Sequence, residues 1–290
     1  MKFLLASTIL LIISTSLCVN IPFNLSFDIS NVFGNSTSGT SSGITRSTAN
    51  QDVSLNVRYA VPGVRVGRDL FVTFELLNRN KYDLENVELR IFDNPCFDIE
   101  GVGSLPTRDI GSLRGEMTET WTWKFTPNSN IVLERTCPIS YELLYDGVYM
   151  KYQDIAVLPE GEYFQREADG TLGQVQIGST SSSSPLSINL KFSEHQPFLE
   201  NQGYFMYFDY YDNGIGNFED LNVSFKYPAN IDASGCPSSV NDIKFVRGLS
   251  ASNSCPFSTH AVSVIDIKSM EINANYKYSL DDSINIKVSA

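Results

Sequence analysis

The sequence predicts an all-β chain of two tandem sandwich domains, and three observations predict it. The stretch from Leu70 to Phe92, LFVTFELLNRNKYDLENVELRIF, recurs without a gap 134 residues later as YFMYFDYYDNGIGNFEDLNVSFK, pairing Phe71 with Phe205, Phe74 with Phe208 and Leu84 with Phe218. A repeat of this length implies two copies of one unit. Within each copy apolar residues alternate with polar ones, Leu70, Val72, Phe74 and Leu76 against Phe71, Thr73, Glu75 and Leu77, a period of two that marks half-buried strands. The intervening turns, NRNKYD and DNGIGN, are rich in residues that tolerate positive φ.

The 290 residues suffice for two cores. With 33 acids against 21 bases the net charge is −12, which repels nucleic acid and anionic membrane surfaces. Residues 1–18, MKFLLASTILLIISTSLC, read as a secretory signal, because one Lys precedes an apolar run from Phe3 to Ile13. That run is shorter than the ~20 residues a spanning helix needs. Cys18 is a candidate lipid anchor, which makes residues 1–18 a candidate lipoprotein signal. Leu17 departs from the small residue that such signals place there, so ordinary cleavage after Cys18 stays open.

Residues 19–50 form an N-terminal strand and a tether. Ile21, Phe23, Leu25, Phe27 and Ile29 share one face of a strand that reaches Phe33, and a Gly/Ser/Thr-rich leash follows. That strand has several outlets: lipid beside Cys18, an edge of its own first domain, or the open edge of a neighbouring molecule; a weakly ordered tail is the alternative. Residues 51–158 form the first sandwich. After the repeated hairpin, Trp121, Trp123 and Phe125 share one face of TETWTWKF and are assigned to the core. Strand CPISYELLY is then expected to turn at Gly147 into VYMKYQDIAVL, giving about seven strands and no helix. Seven short strands with regular turns suit an immunoglobulin-like sandwich.

Residues 159–184 read as a linker. It holds a charged stretch, EGEYFQREADG, a short strand from Leu172 to Ile177 and the polar run STSSSS, with relative motion of the domains as the default and docking of the charged part between the domains as the alternative. Residues 185–290 form the second sandwich, ending in strands INANYKYSL and INIKV. In it Tyr204, Met206, Phe208 and Tyr210 should face the core, and Phe205, Tyr207, Asp209 and Tyr211 should face outwards. Phe205, Tyr207 and Tyr211 then form a candidate face for a partner or glycan, or for packing on the first domain.

Cys96 and Cys137 lie in the first copy, Cys236 and Cys255 in the second, so one disulfide is expected in each. A four-cysteine metal site lacks close spacing and neighbouring His. Asn24, Asn35 and Asn222 head Asn-x-Ser/Thr sequons, the candidate glycosylation sites. Asp209, Asp212, Glu219 and Asp220 around the second turn could offer oxygen ligands to Ca²⁺, although their spacing fits no EF-hand, and solvated turn acids are the alternative. Only His195 and His260 are available for hydrolytic or metal chemistry, and no phosphate loop or nucleophile elbow occurs. No catalytic residue and no cofactor are expected.

The two hairpins, FVTFELLNRNKYDLENVELRIF and FMYFDYYDNGIGNFEDLNVSFKY, resemble the strand, Asn/Gly turn, acidic-aliphatic strand signature of CARDB-type domains. These are immunoglobulin-like modules of bacterial and archaeal cell-surface proteins. The resemblance covers about 40 residues of each repeat, and the first turn lacks the usual glycines. The layout of signal, leash and two domains is similar to that of archaeal surface proteins. It implies a non-enzymatic, extracellular protein, tethered or secreted, that serves in adhesion or as a scaffold. Its expected partners are surface proteins, glycans or, through the 21–33 strand, copies of itself in a filament or envelope. A glycan-binding accessory module is a further reading.

Overall fold

The computed structural model describes residues 44–99, 106–245 and 252–290, so Cys18, Asn24, Asn35 and the 21–33 strand lie outside the described residues. The first repeat contributes β1 (Ile44–Ala49), β2 (Val53–Tyr59), β3 (Gly63–Arg65), β4 (Leu70–Asn78), β5 (Leu84–Asp93), β6 (Phe97–Ile99), β7 (Thr107–Leu113), β8 (Thr118–Pro127) and β9 (Arg135–Leu158). Helix α1 (Glu160–Ala168) follows. The second repeat contributes β10 (Ser179–Ser181), β11 (Leu186–Phe192), β12 (Phe198–Leu199), β13 (Gly203–Asp212), β14 (Asn217–Lys226), β15 (Ile231–Asp232), β16 (Ser239–Val240), β17 (Asn253–Thr259) and β18 (Asp266–Ser289).

The described residues are all-β apart from α1 and one 3₁₀ turn, and their strands form three sheets. A five-stranded sheet, β1-β2-β4-β8-β6, belongs to the first repeat, and a four-stranded sheet, β11-β13-β17-β15, to the second. The central sheet, with the path β16-β14-β18-β9-β5-β7, runs through both. At its middle β9 and β18, each 24 residues and roughly 80 Å long, pair antiparallel without a break from Asp266↔Val157 to Val288↔Arg135.

Each long strand serves both repeats. Up to Asp146, β9 pairs with β5 of its own repeat; beyond Gly147 it pairs with β10 and β12 of the second. Reciprocally, β18 pairs with β14 up to Ser279 and then, at Lys287↔Gly63, with β3 of the first repeat. The repeats have thus exchanged the ends of their last strands.

Alternation fixes where the flanking sheets lie. Tyr141 of β9 packs edge-on against Phe74 of the five-stranded sheet, ring centroids 5.3 Å apart, whereas Lys151 of β9 donates to the Ile188 carbonyl of the four-stranded sheet at 2.7 Å. Both are odd-numbered residues of one strand, so both flanking sheets cover the same face of the central sheet, side by side. Under them Val72, Phe74, Leu89, Ile139 and Leu143 in one repeat, and Met206, Phe208, Leu221 and Ile272 in the other, are essentially solvent-free.

Four expectations are corrected. The end of the expected leash, Ile44–Ala49, is strand β1, because its backbone pairs antiparallel with β2 from Ile44↔Tyr59 to Ala49↔Ser54. Gly147 makes no turn: β9 runs straight through it, because the ring of Tyr276 lies across it and a Cβ there would fall 2.4 Å from Tyr276 Cζ. Likewise INANYKYSL and INIKV are one strand, β18, since Asp282 inside it is held by Arg46 and Thr48 of β1. In the linker EGEYFQREADG forms α1, with Arg166 donating to Glu162 one turn back at 2.8 Å, and Leu172–Gln174 is the 3₁₀ turn instead of a strand. The serine run docks between the repeats: Ser182 N–H donates to Met150 O at 2.8 Å and Ser183 Oγ to Gln51 O at 3.0 Å.

Both disulfides form as paired in the sequence, yet they differ in role. Cys96–Cys137 ties the loop before β6 to β9, bridging the five-stranded sheet to the central one. Cys236–Cys255 stays within the four-stranded layer, joining the segment after β15 to β17.

Candidate functional site

Two places stand out, one buried and one exposed. The buried one is the seam between the repeats. Asp52, fully buried in the turn before β2, accepts hydrogen bonds from Tyr145 at 3.0 and 3.1 Å and from Tyr276 at 2.7 Å. Tyr145 and Tyr276 occupy corresponding positions of β9 and β18, one from each repeat. Burial pushes the Asp52 carboxyl above the ordinary range, against the downward pull of Tyr276 and Tyr145. Burial, then the Asp52 charge, pushes both tyrosines up.

Tyr278 continues this network. It donates to Asp212 Oδ1 at 3.2 Å and accepts from Gly216 N–H at 2.9 Å, and burial raises Asp212 despite bonds from Gly214 N–H and Tyr278. A Cβ on Gly214 would fall 2.0 Å from the Tyr278 hydroxyl. The same turn in the first repeat keeps its side-chain bond, Asn80 N–H to Asn78 Oδ1 at 2.9 Å where Gly214 N–H meets Asp212 Oδ1 at 2.9 Å. It needs no glycine, because the residue corresponding to Tyr278 is Gly147. All these groups are tied to one another inside the molecule, so the seam is a joint.

The exposed place is the outward face of the four-stranded sheet. Phe205 and Tyr207 are 49% and 39% exposed, while Tyr204, Met206, Phe208 and Tyr210 are buried as the alternation required. Phe205 and Tyr207 therefore do not pack on the first repeat; Tyr211 is half-buried. Beside them Lys191 pairs with Asp209 at 2.8 Å, and Ser252 donates to the same carboxylate. The Lys191 bond, then that from Ser252, holds Asp209 below the usual carboxylate range, and Asp209 raises Lys191 in turn. The first repeat shows the related arrangement: Phe71 is 57% exposed, and Glu75, the counterpart of Asp209, is bound by Arg58 at 3.0 Å and Asn56 at 3.2 Å.

The acidic turn residues do not gather. Asp209 and Asp212 belong to the four-stranded sheet, Glu219 and Asp220 to the central one, and each has its own partner; Glu219 binds Ser279 at 3.0 Å and Asp220 binds Asn222 at 3.1 Å. Among the described residues no group of three His, Cys, Asp or Glu could hold a metal ion. Asn222 lies on β14, its amide turned to Asp220. His195 and His260 sit in exposed loops. Trp121 and Trp123 are half-buried over Phe74, and Phe125 is buried. An open cavity of about 400 Å³ lies behind the seam, among Asp83, Glu85, Asp146, Asp220 and Lys277.

Sequence reasoning missed Asp52, Tyr145, Tyr276 and Lys151. Asp52 reads as a turn acid, and only the β9–β18 register brings the tyrosines to it.

No protein-family model matches the chain, and no curated protein matches it. Among solved structures it is similar, at 8% identity and a TM-score of 0.20, to Escherichia coli alpha-2-macroglobulin activated by porcine elastase, over 82% of this chain and 33% of that one. It is also similar to a Porphyromonas gingivalis W83 protein of unknown function, at 10% identity and a TM-score of 0.20, over 81% of this chain and 99% of that one. The chain thus spans about a third of the length of the alpha-2-macroglobulin.

Proposed function

We propose that the chain is a non-enzymatic extracellular protein that works by binding at a cell surface, its repeats being two immunoglobulin-like sandwiches of CARDB type joined through exchanged strand ends. One observation carries the reading. The ionisable groups of the seam, Asp52, Tyr145 and Tyr276, are locked inside the fold by their mutual hydrogen bonds, whereas the aromatic groups, Phe71 in one repeat and Phe205 and Tyr207 in the other, are displayed on outward sheet faces. Such displayed rings are what recognition surfaces use. Two disulfides fit an oxidising compartment. Among the described residues no helix is long and apolar enough to cross a membrane. Cys18, ahead of the described residues, is the proposed attachment point.

The labelled mature protein should bind saturably to envelopes of the cells that produce it, and a Phe205→Ala/Tyr207→Ala variant should lose most of that binding. A wild-type chain that stays in the supernatant at every concentration would overturn the proposal. Intact mass tests the tether: a lipid adduct on Cys18 supports it, and a chain starting after Cys18 removes it.

A further inference from the structure

We infer that the outward face of the four-stranded sheet binds an uncharged carbohydrate chain lying along β13. The inference rests on the binding role proposed above and adds the ligand class.

Three features of that face carry it. First, its aromatic residues lie on one line. Phe205 and Tyr207 are alternate residues of β13, so their rings rise from the same side of the strand about 7 Å apart, and Tyr211 continues the row. A linear polymer can lay successive units along such a row, with the apolar C–H face of each sugar ring against an aromatic ring. Second, the face is electrically quiet. In a chain of net charge −12, its central carboxylate, Asp209, is neutralised by Lys191 and further satisfied by Ser252. Along the ring row neither member of the Lys191–Asp209 pair is left free for a charged ligand, and the sheet's other outward carboxylate, Asp232, lies away from the row on the edge strand β15, bound by Ser234 N–H. An uncharged polyhydroxyl ligand needs no free charge.

Third, hydrogen-bonding groups border the rings. Asn189, exposed, stands opposite Asp209, and Lys191 stands opposite Tyr207. This combination of apolar ring and adjacent amide or ammonium matches a sugar's apolar face and equatorial hydroxyls. The first repeat has only part of it: Phe71 is exposed, but the positions corresponding to Tyr207 and Tyr211 are Thr73 and Leu77. The row therefore exists in the second repeat alone, which assigns the ligand to that side.

The test titrates the mature full chain with neutral gluco-, manno-, galacto- and N-acetylglucosamine oligosaccharides and with a uronic-acid oligomer, by calorimetry. The expected result is binding of at least one neutral series, tightening with chain length, with no binding of the uronate. Phe205→Ala and Tyr207→Ala should each weaken it about three- to tenfold, and Phe71→Ala should leave it unchanged. Circular dichroism of each variant confirms folding. Preference for the uronate, insensitivity to both β13 variants, or no neutral ligand at millimolar concentration overturns the inference. The envelope assay separates the two levels. Envelope binding that depends on Phe205 and is abolished by protease treatment of the envelopes means that a protein occupies the face, which sinks the carbohydrate assignment and leaves the binding role standing. Loss of all envelope binding removes both.

Discussion

Tyr276 donates a 2.7 Å hydrogen bond to Asp52, 224 residues earlier in the chain, and Tyr145 of the other repeat donates to the same carboxylate. One buried carboxyl group thus holds the last strands of both repeats. The arrangement has a defined pH signature. Burial raises the folded-state pKa of Asp52, so the folded protein binds this proton more tightly than the unfolded chain does. Its contribution to stability is greatest below the unfolded value of about 4 and declines as pH rises from there through the raised folded value. Urea titrations from pH 4 to 8 should show wild type losing stability relative to Asp52→Asn across that window. A constant difference would mean that Asp52 titrates normally.

Strand exchange predicts cooperativity. Because β9 and β18 each carry pairing from both repeats, neither repeat can lose its central layer alone. Calorimetry should record one transition with matching calorimetric and van't Hoff enthalpies. Two resolved transitions would show that the repeats are thermodynamically separate.

At Gly147 the added methyl group of alanine would enter the ring of Tyr276. Gly147→Ala should cost roughly 2–3 kcal/mol by overpacking. Gly147→Ala in a Tyr276→Ala background should cost much less, and that coupling in a double-mutant cycle is the measurement.

The two disulfides should differ on removal. Cys96–Cys137 closes 41 residues and crosses layers, Cys236–Cys255 closes 19 within one layer. Replacing each pair by Ser should destabilise by about 4 and about 3 kcal/mol respectively on loop entropy alone. The first should also speed hydrogen exchange in β6 and β8, which would then lose their tie to β9.

Lys151 guards an edge. In the first repeat β1 covers β2, but its counterpart β10 pairs with β9, leaving β11 outermost in its sheet. The Ile188 carbonyl on that edge is taken instead by Lys151, whose ammonium is pushed down by burial. Lysine at a bare edge opposes strand addition. Lys151→Met should therefore give concentration-dependent self-association beyond that of wild type by sedimentation velocity; a profile unchanged from wild type would show that the edge is protected otherwise.

The sequence by itself determined the β class, the 134-residue repeat, which of Tyr204 to Tyr211 point inwards, and which cysteines pair. These follow from period, spacing and local chemistry, which a linear string carries directly. Tertiary structure alone decided that β9 and β18 run unbroken through both repeats, that Gly147 is a seat for Tyr276, that EGEYFQREADG coils into α1, and that Asp52 joins the repeats. Gly147 shows the reason. Its neighbours permit a turn or an extended strand equally well, and the choice falls to the ring of a residue more than a hundred positions away, whose register with it is set only when the two long strands meet.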